Sequence, residues 1–171
     1  GIIVLTNQQS GAAFRSITNS IKDTYFGIEG EDRITQYNES RLRFEKRADS
    51  VVTEVWRKVA EVQKKNNMSP EALSNYTGTY NDPWFGNVQI KMQNGKLRFE
   101  AKNAPDLHGE MSFYKGNSFV VKWDDRSLNG DAFAVFDLDR EAKPVGFTME
   151  PVSPMTDFSF DFQDLDFSRV N

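Results

Sequence analysis

The sequence predicts a mainly β protein: an antiparallel up-and-down β-barrel of about eight strands, preceded by one strand and two helices. Three observations lead to this fold class. Apolar and polar residues alternate with a period of two in short segments from Val88 onward. Turn sequences such as Asn94-Gly95 separate these segments. The residues before position 68 instead show helical spacing after one short apolar run.

Composition supports one folded core and excludes several kinds of chemistry. The chain has 171 residues, of which 38% are hydrophobic and 13% aromatic, including 14 Phe. That is enough apolar material for a compact core. The absence of cysteine excludes disulfides, thiolate metal sites and cysteine nucleophiles. No apolar run approaches the roughly 18 residues that a membrane span needs.

Charge is unevenly distributed along the chain. Residues 31–67 carry nine Lys/Arg against seven Asp/Glu, a net charge of +2. Residues 68–171 carry ten against sixteen, a net charge of −6. Because an acidic domain repels phosphate backbones, nucleic acid is not an expected partner.

The first segment predicts a strand and a helix. The β-branched run Ile2–Leu5 reads as a strand buried on both faces, which belongs inside a sheet. After a turn at Gln8–Gly11, apolar residues follow at helical spacing and Gly27 suits a left-handed stop. Two elements cannot bury this much apolar surface between them. The apolar stripe of the helix consists of Phe14, Ile17, Ile21 and Tyr25.

The second segment predicts one long amphipathic helix over Asp32–Asn66. Apolar residues recur at spacings of three and four for about eight turns. Arg41 and Lys58 interrupt this pattern. The helix is either laid on its own domain or used as a dimerising coiled coil or strut between domains. The polar interruptions favour the first alternative.

The third segment predicts the barrel. Ser69 and Pro70 start a short helical turn, and hairpin turns at Asn94-Gly95 and Lys115-Gly116-Asn117 then join strands with one apolar and one polar face. A sheet of this size must curl to cover its apolar face and edges. The hairpin order favours a lipocalin-like barrel over a sandwich. The residues expected on the apolar faces are Val88, Ile90, Met92, Leu97, Phe99, Ala101, Met111, Phe113, Phe119, Val121, Trp123, Phe133, Val135, Val145, Phe147 and Met149.

The end of the chain predicts a further strand in which Phe158, Phe160 and Phe162 share one face. The parity of the alternation changes before Leu165. We therefore expect a tight turn or bulge near Gln163-Asp164.

Two candidate catalytic features do not fit a catalytic role. The tetrad Ser112–Lys115 has the S-x-x-K spacing of serine acyl-transferases, which requires a helix so that serine and lysine face each other. Here it lies on a predicted strand, which sends the two side chains to opposite faces. His108 is the single histidine and is interpreted as a strand-start residue that touches solvent. We therefore expect no catalytic residues.

No cofactor or metal site is expected either. The acidic stretches 124–131 and 161–166 lack the spacing of a calcium loop, and no glycine-rich phosphate loop is present. The aromatic residues Trp84, Phe85 and Trp123 could line a ligand-binding mouth. Core packing or domain docking is the more usual role of such residues.

Two sets of motifs resemble a known family. "GIIVLTNQQSGAAFRSITNSIKDTYFG" resembles the C-terminal end of serine β-lactamase and penicillin-binding-protein-like hydrolases, where a last sheet strand ending in Thr-Asn precedes a helix packed across the sheet. "LSNYTGTYNDPWFGNVQI", "NGKLRF", "SFVVKW" and "DFSFDFQDLDFSRV" resemble the β-barrel domain of unknown function often appended to those hydrolases.

The resemblance implies three parts: the end of a truncated hydrolase domain (1–30), a helical linker (31–67) and a β-barrel accessory domain (68–171). The catalytic motifs of the family would lie upstream. The chain is then expected to be non-catalytic, to shape substrate access or partner docking, and to be periplasmic, secreted or bound to the cell envelope. The alternatives are a barrel that binds a small hydrophobic ligand and a helix-mediated oligomerisation module.

The resemblance also implies a missing partner for the first strand. The parent hydrolase domain would normally cover it. Without that domain, we expect Ile2–Leu5 to pair with another copy of the chain, or to fold against the helix or the barrel. Self-association through this strand or through the Asp32–Asn66 helix is a further expectation.

Overall fold

The computed structural model describes residues 1–7, 10–65 and 68–170. It divides into two compact units, Gly1–Asp49 and Ser50–Asn171, and each is described by itself. The division into 1–30, 31–67 and 68–171 stays a prediction. Within the described part of the chain, every helix is too short or too polar to cross a lipid bilayer.

In the first unit, helix α1 spans Ala12–Phe26 as its spacing predicts. Gly27 ends it in the left-handed conformation (φ 65°), and the backbone N–H of Ile28 donates to the Asp23 carbonyl over 2.8 Å. This is the six-to-one bond of a glycine-terminated helix. The Gln8-Gln9 part of the predicted turn lies outside the described residues.

Helix α2 spans Arg33–Lys64 and is the long helix that the sequence predicts. Asp32 precedes it, and its Oδ1 accepts the backbone N–H of Thr35 over 3.0 Å. Hydrogen bonds from the Thr35 backbone and hydroxyl lower the pKa of the Asp32 carboxyl. The predicted end at Asn66 lies outside the described residues.

Within the first unit, two side-chain contacts join α1 to the start of α2. Arg33 Nε donates to Asp23 Oδ2 over 2.6 Å, and Asn19 Nδ2 donates to the Tyr37 hydroxyl over 2.8 Å. The Arg33 hydrogen bond lowers the pKa of the Asp23 carboxyl. The two helices of this unit are therefore joined by polar contacts.

The predicted strand at Ile2–Leu5 is wrong. These residues have no strand pairing in the structure, and Ile3 and Leu5 are 88% and 91% exposed. A strand needs a hydrogen-bonding neighbour, and the described elements of this unit are helices, which offer no open sheet edge. Ile3 and Leu5 are therefore not buried against the helices of this unit, as one of the expected alternatives required.

In the second unit, eight antiparallel strands close into an up-and-down barrel, which confirms the predicted fold class. Each strand pairs with the next, and the last pairs with the first through Asn81 and Ser168. A short helix, α3 (Pro70–Ser74), precedes them, and the Oγ of Ser69 caps it by accepting the Ala72 N–H over 3.2 Å. The strands are β1 (Gly78–Asp82), β2 (Gly86–Gln93), β3 (Lys96–Ala101), β4 (His108–Lys115), β5 (Ser118–Trp123), β6 (Ala132–Leu138), β7 (Pro144–Pro151) and β8 (Asp166–Val170).

The predicted hairpin at Asn94-Gly95 joins β2 to β3, where Gln93 pairs with Lys96. Both turn residues have positive φ, 51° for Asn94 and 76° for Gly95. Positive φ at both central positions is the requirement of a type I′ turn, whose twist matches that of the flanking strands. The turn therefore fixes the register in which β2 and β3 present their apolar residues inward.

The barrel interior is filled by large side chains in direct contact. The rings of Phe147 and Phe167 stack with centroids 4.5 Å apart. The ring of Tyr76 makes edge-to-face contacts with Phe119 and Phe136, with a centroid distance of 4.8 Å in each pair. Edge-to-face and offset contacts of this kind add to the free energy gained from burial. The fully buried side chains include Trp123, Tyr80, Phe99, Phe119, Phe136, Phe147, Phe167, Ile90, Leu97 and Met149.

Three of the residues predicted to face inward do not. In β6, Ala132, Ala134 and Phe136 are buried, so Phe133 and Val135 lie on the outer face. The prediction followed the larger apolar residues, whereas the barrel needs small side chains beside its many phenylalanines. In β7, Val145 is 46% exposed, while Phe147 and Met149 are buried as predicted.

The predicted strand containing Phe158 and Phe162 is also wrong. Two 3₁₀ turns occupy Phe158–Phe160 and Phe162–Asp164, and the next strand begins at Asp166. The second turn confirms the predicted tight turn near Gln163-Asp164. Its Phe162 is buried and stacks near Trp123 with centroids 6.2 Å apart, so this segment closes one end of the barrel.

The second half of α2 lies on the outer face of the barrel. Val55 and Val59 form a buried cluster with Val120 and Val152. Phe133, which faces outward from β6, packs against the same cluster. This part of the helix confirms the prediction that the helix lies on its own domain.

We expect Phe147→Ala to lower the free energy of unfolding by about 3–5 kcal/mol, because it removes a buried ring and leaves a cavity among rings that cannot collapse into it. The matched control is Val145→Ala, two residues away on the exposed face, which should change the free energy by about 0.5 kcal/mol or less. Urea unfolding followed by tryptophan fluorescence measures both. Equal effects at the two positions would contradict the described interior.

Candidate functional site

The serine of the S-x-x-K tetrad lies under α2. Ser112 is buried on the outer face of β4, and its Oγ accepts a hydrogen bond from Gln63 Nε2 over 3.1 Å. Lys115 is exposed at the end of the same strand. The contact that the structure gives to the hydroxyl is an amide, which cannot act as a base. The arrangement therefore positions the helix on the barrel and offers no activated nucleophile.

His108 joins a loop to the neighbouring strand. Its Nδ1 lies 2.6 Å from the Pro105 carbonyl oxygen, which assigns the ring proton to Nδ1. Its Nε2 lies 3.3 Å from Asp124 Oδ2, and Asp124 also pairs with Arg98. The hydrogen bond from Arg98 lowers the pKa of the Asp124 carboxyl. His108 thus lies beside the Arg98–Asp124 ion pair at the surface.

The acidic stretches serve local structure. Asp125 Oδ1 accepts the Ser127 N–H over 2.9 Å at the start of a 3₁₀ turn, Arg126–Leu128. Asp131 contacts a tryptophan and an arginine, as described below. Among the residues that the structure describes, no three His, Asp or Glu side chains are grouped so that they could hold a metal ion.

A buried carboxylate fixes the second half of α2 to the barrel. Asp131 accepts the indole N–H of Trp56 over 3.1 Å and the two Nη groups of Arg126 over 2.5 and 3.0 Å. Lys122 Nζ lies 5.5 Å from the centroid of the Trp56 ring. Asp131 is buried, so these partners replace the water that it loses. The sequence does not reveal this contact, because 75 positions separate Trp56 from Asp131.

The loop 81–87 is held rigid by another buried carboxylate. Asp82 Oδ1 accepts the N–H groups of Trp84 and Phe85 over 2.8 and 2.7 Å, and its Oδ2 accepts that of Asp166 over 3.0 Å. Burial alone raises the pKa of the Asp82 carboxyl. The hydrogen bonds from Phe85, Asp166 and Trp84 outweigh burial and hold the pKa below its ordinary value.

The three aromatic residues considered for a ligand mouth are not brought together. Phe85 packs edge-on against Phe167 in the interior, with centroids 5.7 Å apart. Trp123 is buried and donates its indole N–H to the Gly130 carbonyl over 2.6 Å. Trp84 is 70% exposed at the tip of the loop. Core packing is therefore the role of two of the three.

A cavity of about 310 Å³ opens beside the barrel wall, where the end of α2, helix α3 and strands β3 and β4 meet. We name it the rim cavity. Its apolar lining includes Leu73, Leu97 and Met111, and its polar lining includes Lys96 and Glu110. The sequence gives no signal for it, since its walls come from four separate elements.

Three of the four residues in the apolar stripe of α1, Phe14, Ile17 and Tyr25, are exposed. Tyr25 and Phe26 are 83% and 77% exposed, and Phe14 and Ile17 are also exposed. The buried residues of this helix are Ser16 and Asp23. An apolar helix face in contact with water is characteristic of an interaction surface.

We expect Asp82→Asn to lower the free energy of unfolding at pH 7 by about 1–3 kcal/mol, because its amide nitrogen would face a backbone N–H where the carboxylate now accepts one. The pKa of the Asp82 carboxyl is lower in the native protein than in the unfolded chain, where it is about 4. The carboxylate therefore contributes its full stabilisation at pH values above about 4. Stabilisation is lost as pH falls through the native pKa.

The difference in the free energy of unfolding between the unmodified chain and Asp82→Asn should therefore decrease as the pH falls below about 4. Thermal or urea unfolding at several pH values measures it. Asp106→Asn, an exposed position at the same end of the barrel, makes the same charge change and is the control. A pH-independent difference at Asp82 would contradict the role given to its charge.

Comparison with known proteins gives one match. Residues 62–169 match the family described as Domain of unknown function (DUF3471). No curated protein matches the chain, and no solved structure does. The matched residues run from the end of α2 through β8 and so include all eight described strands. Because the match covers more than half of the sequence, the chain belongs to the DUF3471 family.

Proposed function

We propose that this chain is a non-catalytic C-terminal accessory region of a cell-envelope serine hydrolase of the β-lactamase and penicillin-binding-protein-like class. In this proposal the barrel modulates substrate access or docks a partner. Membership of the DUF3471 family supports it, since that domain is known at the C-terminal end of such proteins. The resemblance of residues 1–27 to the last strand and helix of those hydrolases adds to this support.

The exposed apolar stripe of α1 is the observation that carries the proposal furthest. A helix that turns Phe14, Ile17 and Tyr25 to water loses the free energy that burying them would give. A hydrolase sheet would cover this stripe. The same sheet would supply the hydrogen-bonding neighbours that Ile2–Leu5 needs to become a strand.

The barrel itself supports a non-catalytic role. The Ser112 hydroxyl is hydrogen-bonded to Gln63, and Nδ1 of His108 is hydrogen-bonded to the Pro105 carbonyl. The rings in the interior are in contact, so a lumen ligand would have to displace aromatic side chains from the core. This packing favours an accessory domain over a barrel that binds a hydrophobic ligand in its lumen.

The proposal predicts that this chain alone does not react with a fluorescent penicillin or turn over p-nitrophenyl esters. The physical reason is that Ser112, the serine of the S-x-x-K tetrad, is hydrogen-bonded to an amide, which cannot act as a general base. Covalent labelling on a gel and ester absorbance measure the two activities. Labelling or turnover that Ser112→Ala abolishes would contradict the proposal.

The proposal also predicts how Ile17 responds to its surroundings. In the isolated chain Ile17 is 44% exposed, so Ile17→Asp should leave the thermal unfolding of the barrel unchanged. In the full-length protein encoded by the natural reading frame, it should cost about 2 kcal/mol or more, because an unpaired carboxylate would be buried against the sheet. The rate of ester or β-lactam hydrolysis by the full-length variant should decrease together with its stability.

Lys22→Asp, on the exposed polar side of the same helix, is the matched control for charge. Thermal unfolding and ester or β-lactam hydrolysis of the full-length protein measure both variants. If Ile17→Asp and Lys22→Asp behave alike there, the stripe does not contact a hydrolase domain. An upstream reading frame without Ser-x-x-Lys and Tyr-x-Asn would also contradict the proposal.

A further inference from the structure

The rim cavity has the size and lining of a site for a small ligand. Its volume of about 310 Å³ lies at the lower end of the range of roughly 300–1,000 Å³ for small-molecule pockets. The partly exposed apolar lining comes from Val62, Met68, Leu73 and Phe113, and behind it Leu97 and Met111 are nearly fully buried in the barrel. Methionine side chains adapt to irregular apolar groups, so this lining can close around a branched or aromatic substituent.

One cation and one anion stand side by side at the cavity. Lys96 Nζ lies 2.7 and 2.8 Å from the two carboxylate oxygens of Glu110. The side chains are 57% and 39% exposed. An ion pair this exposed is held weakly, so each charge can exchange its present partner for a ligand group at small cost.

The opposite wall is polar but fixed. Gln63 at the end of α2 donates to the Ser112 hydroxyl oxygen over 3.1 Å, and both residues line the cavity. The site thus combines a polar wall, an apolar lining and two exchangeable charges of opposite sign. A few placed polar groups in an apolar pocket are what orients a small ligand.

We propose that the rim cavity binds a free α-amino acid with an apolar side chain. Such a molecule carries its ammonium and carboxylate on one carbon, so the two charges lie as close together as those of Lys96 and Glu110. The ammonium pairs with Glu110 and the carboxylate with Lys96, and the side chain then enters the apolar lining. A ligand with one net charge would leave either Lys96 or Glu110 without an opposite charge.

This inference concerns the barrel alone and holds whether or not a hydrolase domain precedes it. If the rim cavity binds no amino acid, the proposed function is unaffected. If the proposed function is wrong, the amino acid site is unaffected. It adds a ligand class that the family description does not contain.

The test uses the five methionines of the chain, labelled with ¹³C at the methyl group and followed by NMR during titration with L-leucine. Met68 and Met111 line the cavity. Met149 lies in the barrel interior and Met155 in the loop after β7, so these two report on the rest of the fold. We expect saturable shifts at Met68 and Met111 alone, with a dissociation constant of about 1 mM.

Variants then test each part of the site. Lys96→Gln and Glu110→Gln should each weaken leucine binding by about threefold to tenfold, as the loss of one exposed charge-assisted hydrogen bond predicts. The matched controls are Lys91→Gln and Glu100→Gln, which break a similar ion pair (2.7 Å) between β2 and β3 outside the cavity. Leu73→Trp should fill the cavity and abolish the shifts, with an unchanged Met149 signal showing that the barrel is intact.

Ligand analogues test the recognition of both charges and of the side chain. Glycine should bind much more weakly than leucine, because it buries no side chain. N-acetyl-leucine amide, which is neutral, should also bind more weakly. Equal binding of the capped and free forms would overturn the assignment, as would equal loss in the Lys96 and Lys91 variants. The absence of any shift at Met68 and Met111 at about 50 mM leucine, well above the expected constant, would overturn it as well.

Discussion

Closure of the sheet is the constraint on which the rest of this structure depends. Eight strands that pair in sequence order and then pair the last with the first leave an interior of fixed size. That interior is close-packed, so each inward-facing side chain must have a suitable volume as well as an apolar character. Phe147 and Phe167 are paired across β7 and β8, and their rings stack in this interior. Closure also removes the open edges that would otherwise invite pairing with other chains.

The two ends of the barrel are closed by different chemistry. At one end the guanidinium of Arg169 donates to the carbonyls of Thr77, Asn75 and Pro144, and it lies 5.8 Å from the centroid of the Tyr80 ring. Burial raises the pKa of the Tyr80 hydroxyl to about 12. At the other end, the 3₁₀ turns place Phe162 against Trp123. Both closures keep water from the aromatic interior, one with hydrogen bonds and the other with rings.

The two compact units differ in how they use their apolar residues. The barrel unit buries most of its large apolar side chains, and the second half of α2 covers part of its outer face. The unit Gly1–Asp49 leaves many of its large apolar side chains exposed, among them Ile3, Leu5 and Tyr25. The barrel therefore has the internal contacts of an independent domain. The first unit leaves apolar surface exposed, and the proposed function assigns this surface to contact with a hydrolase domain.

Local patterns in the sequence determined the helices and the hairpin turns, because these depend on neighbouring residues. The spacing in α1, the stop at Gly27 and the Asn94-Gly95 turn each act within a few positions. Local patterns did not determine which face of β6 is inside, because Phe133 and Phe136 are both apolar and only the filled volume of the barrel decides between them. Local patterns also predicted a strand at Phe158–Phe162, because apolar and polar residues alternate there. The structure instead has turns at this end of the barrel.

The contacts that define the candidate sites were decided by the tertiary structure alone. Trp56 meets Asp131 because α2 lies on the barrel, and Lys96 meets Glu110 because β3 pairs with β4. No periodicity or motif encodes these pairings, since each partner is an ordinary residue in its own segment. The sequence did determine which family the chain belongs to, through residues spread over the whole barrel. Ile2–Leu5 shows why composition alone does not predict a strand. Its residues are typical of a strand, but a strand forms only where a neighbouring strand supplies its hydrogen bonds.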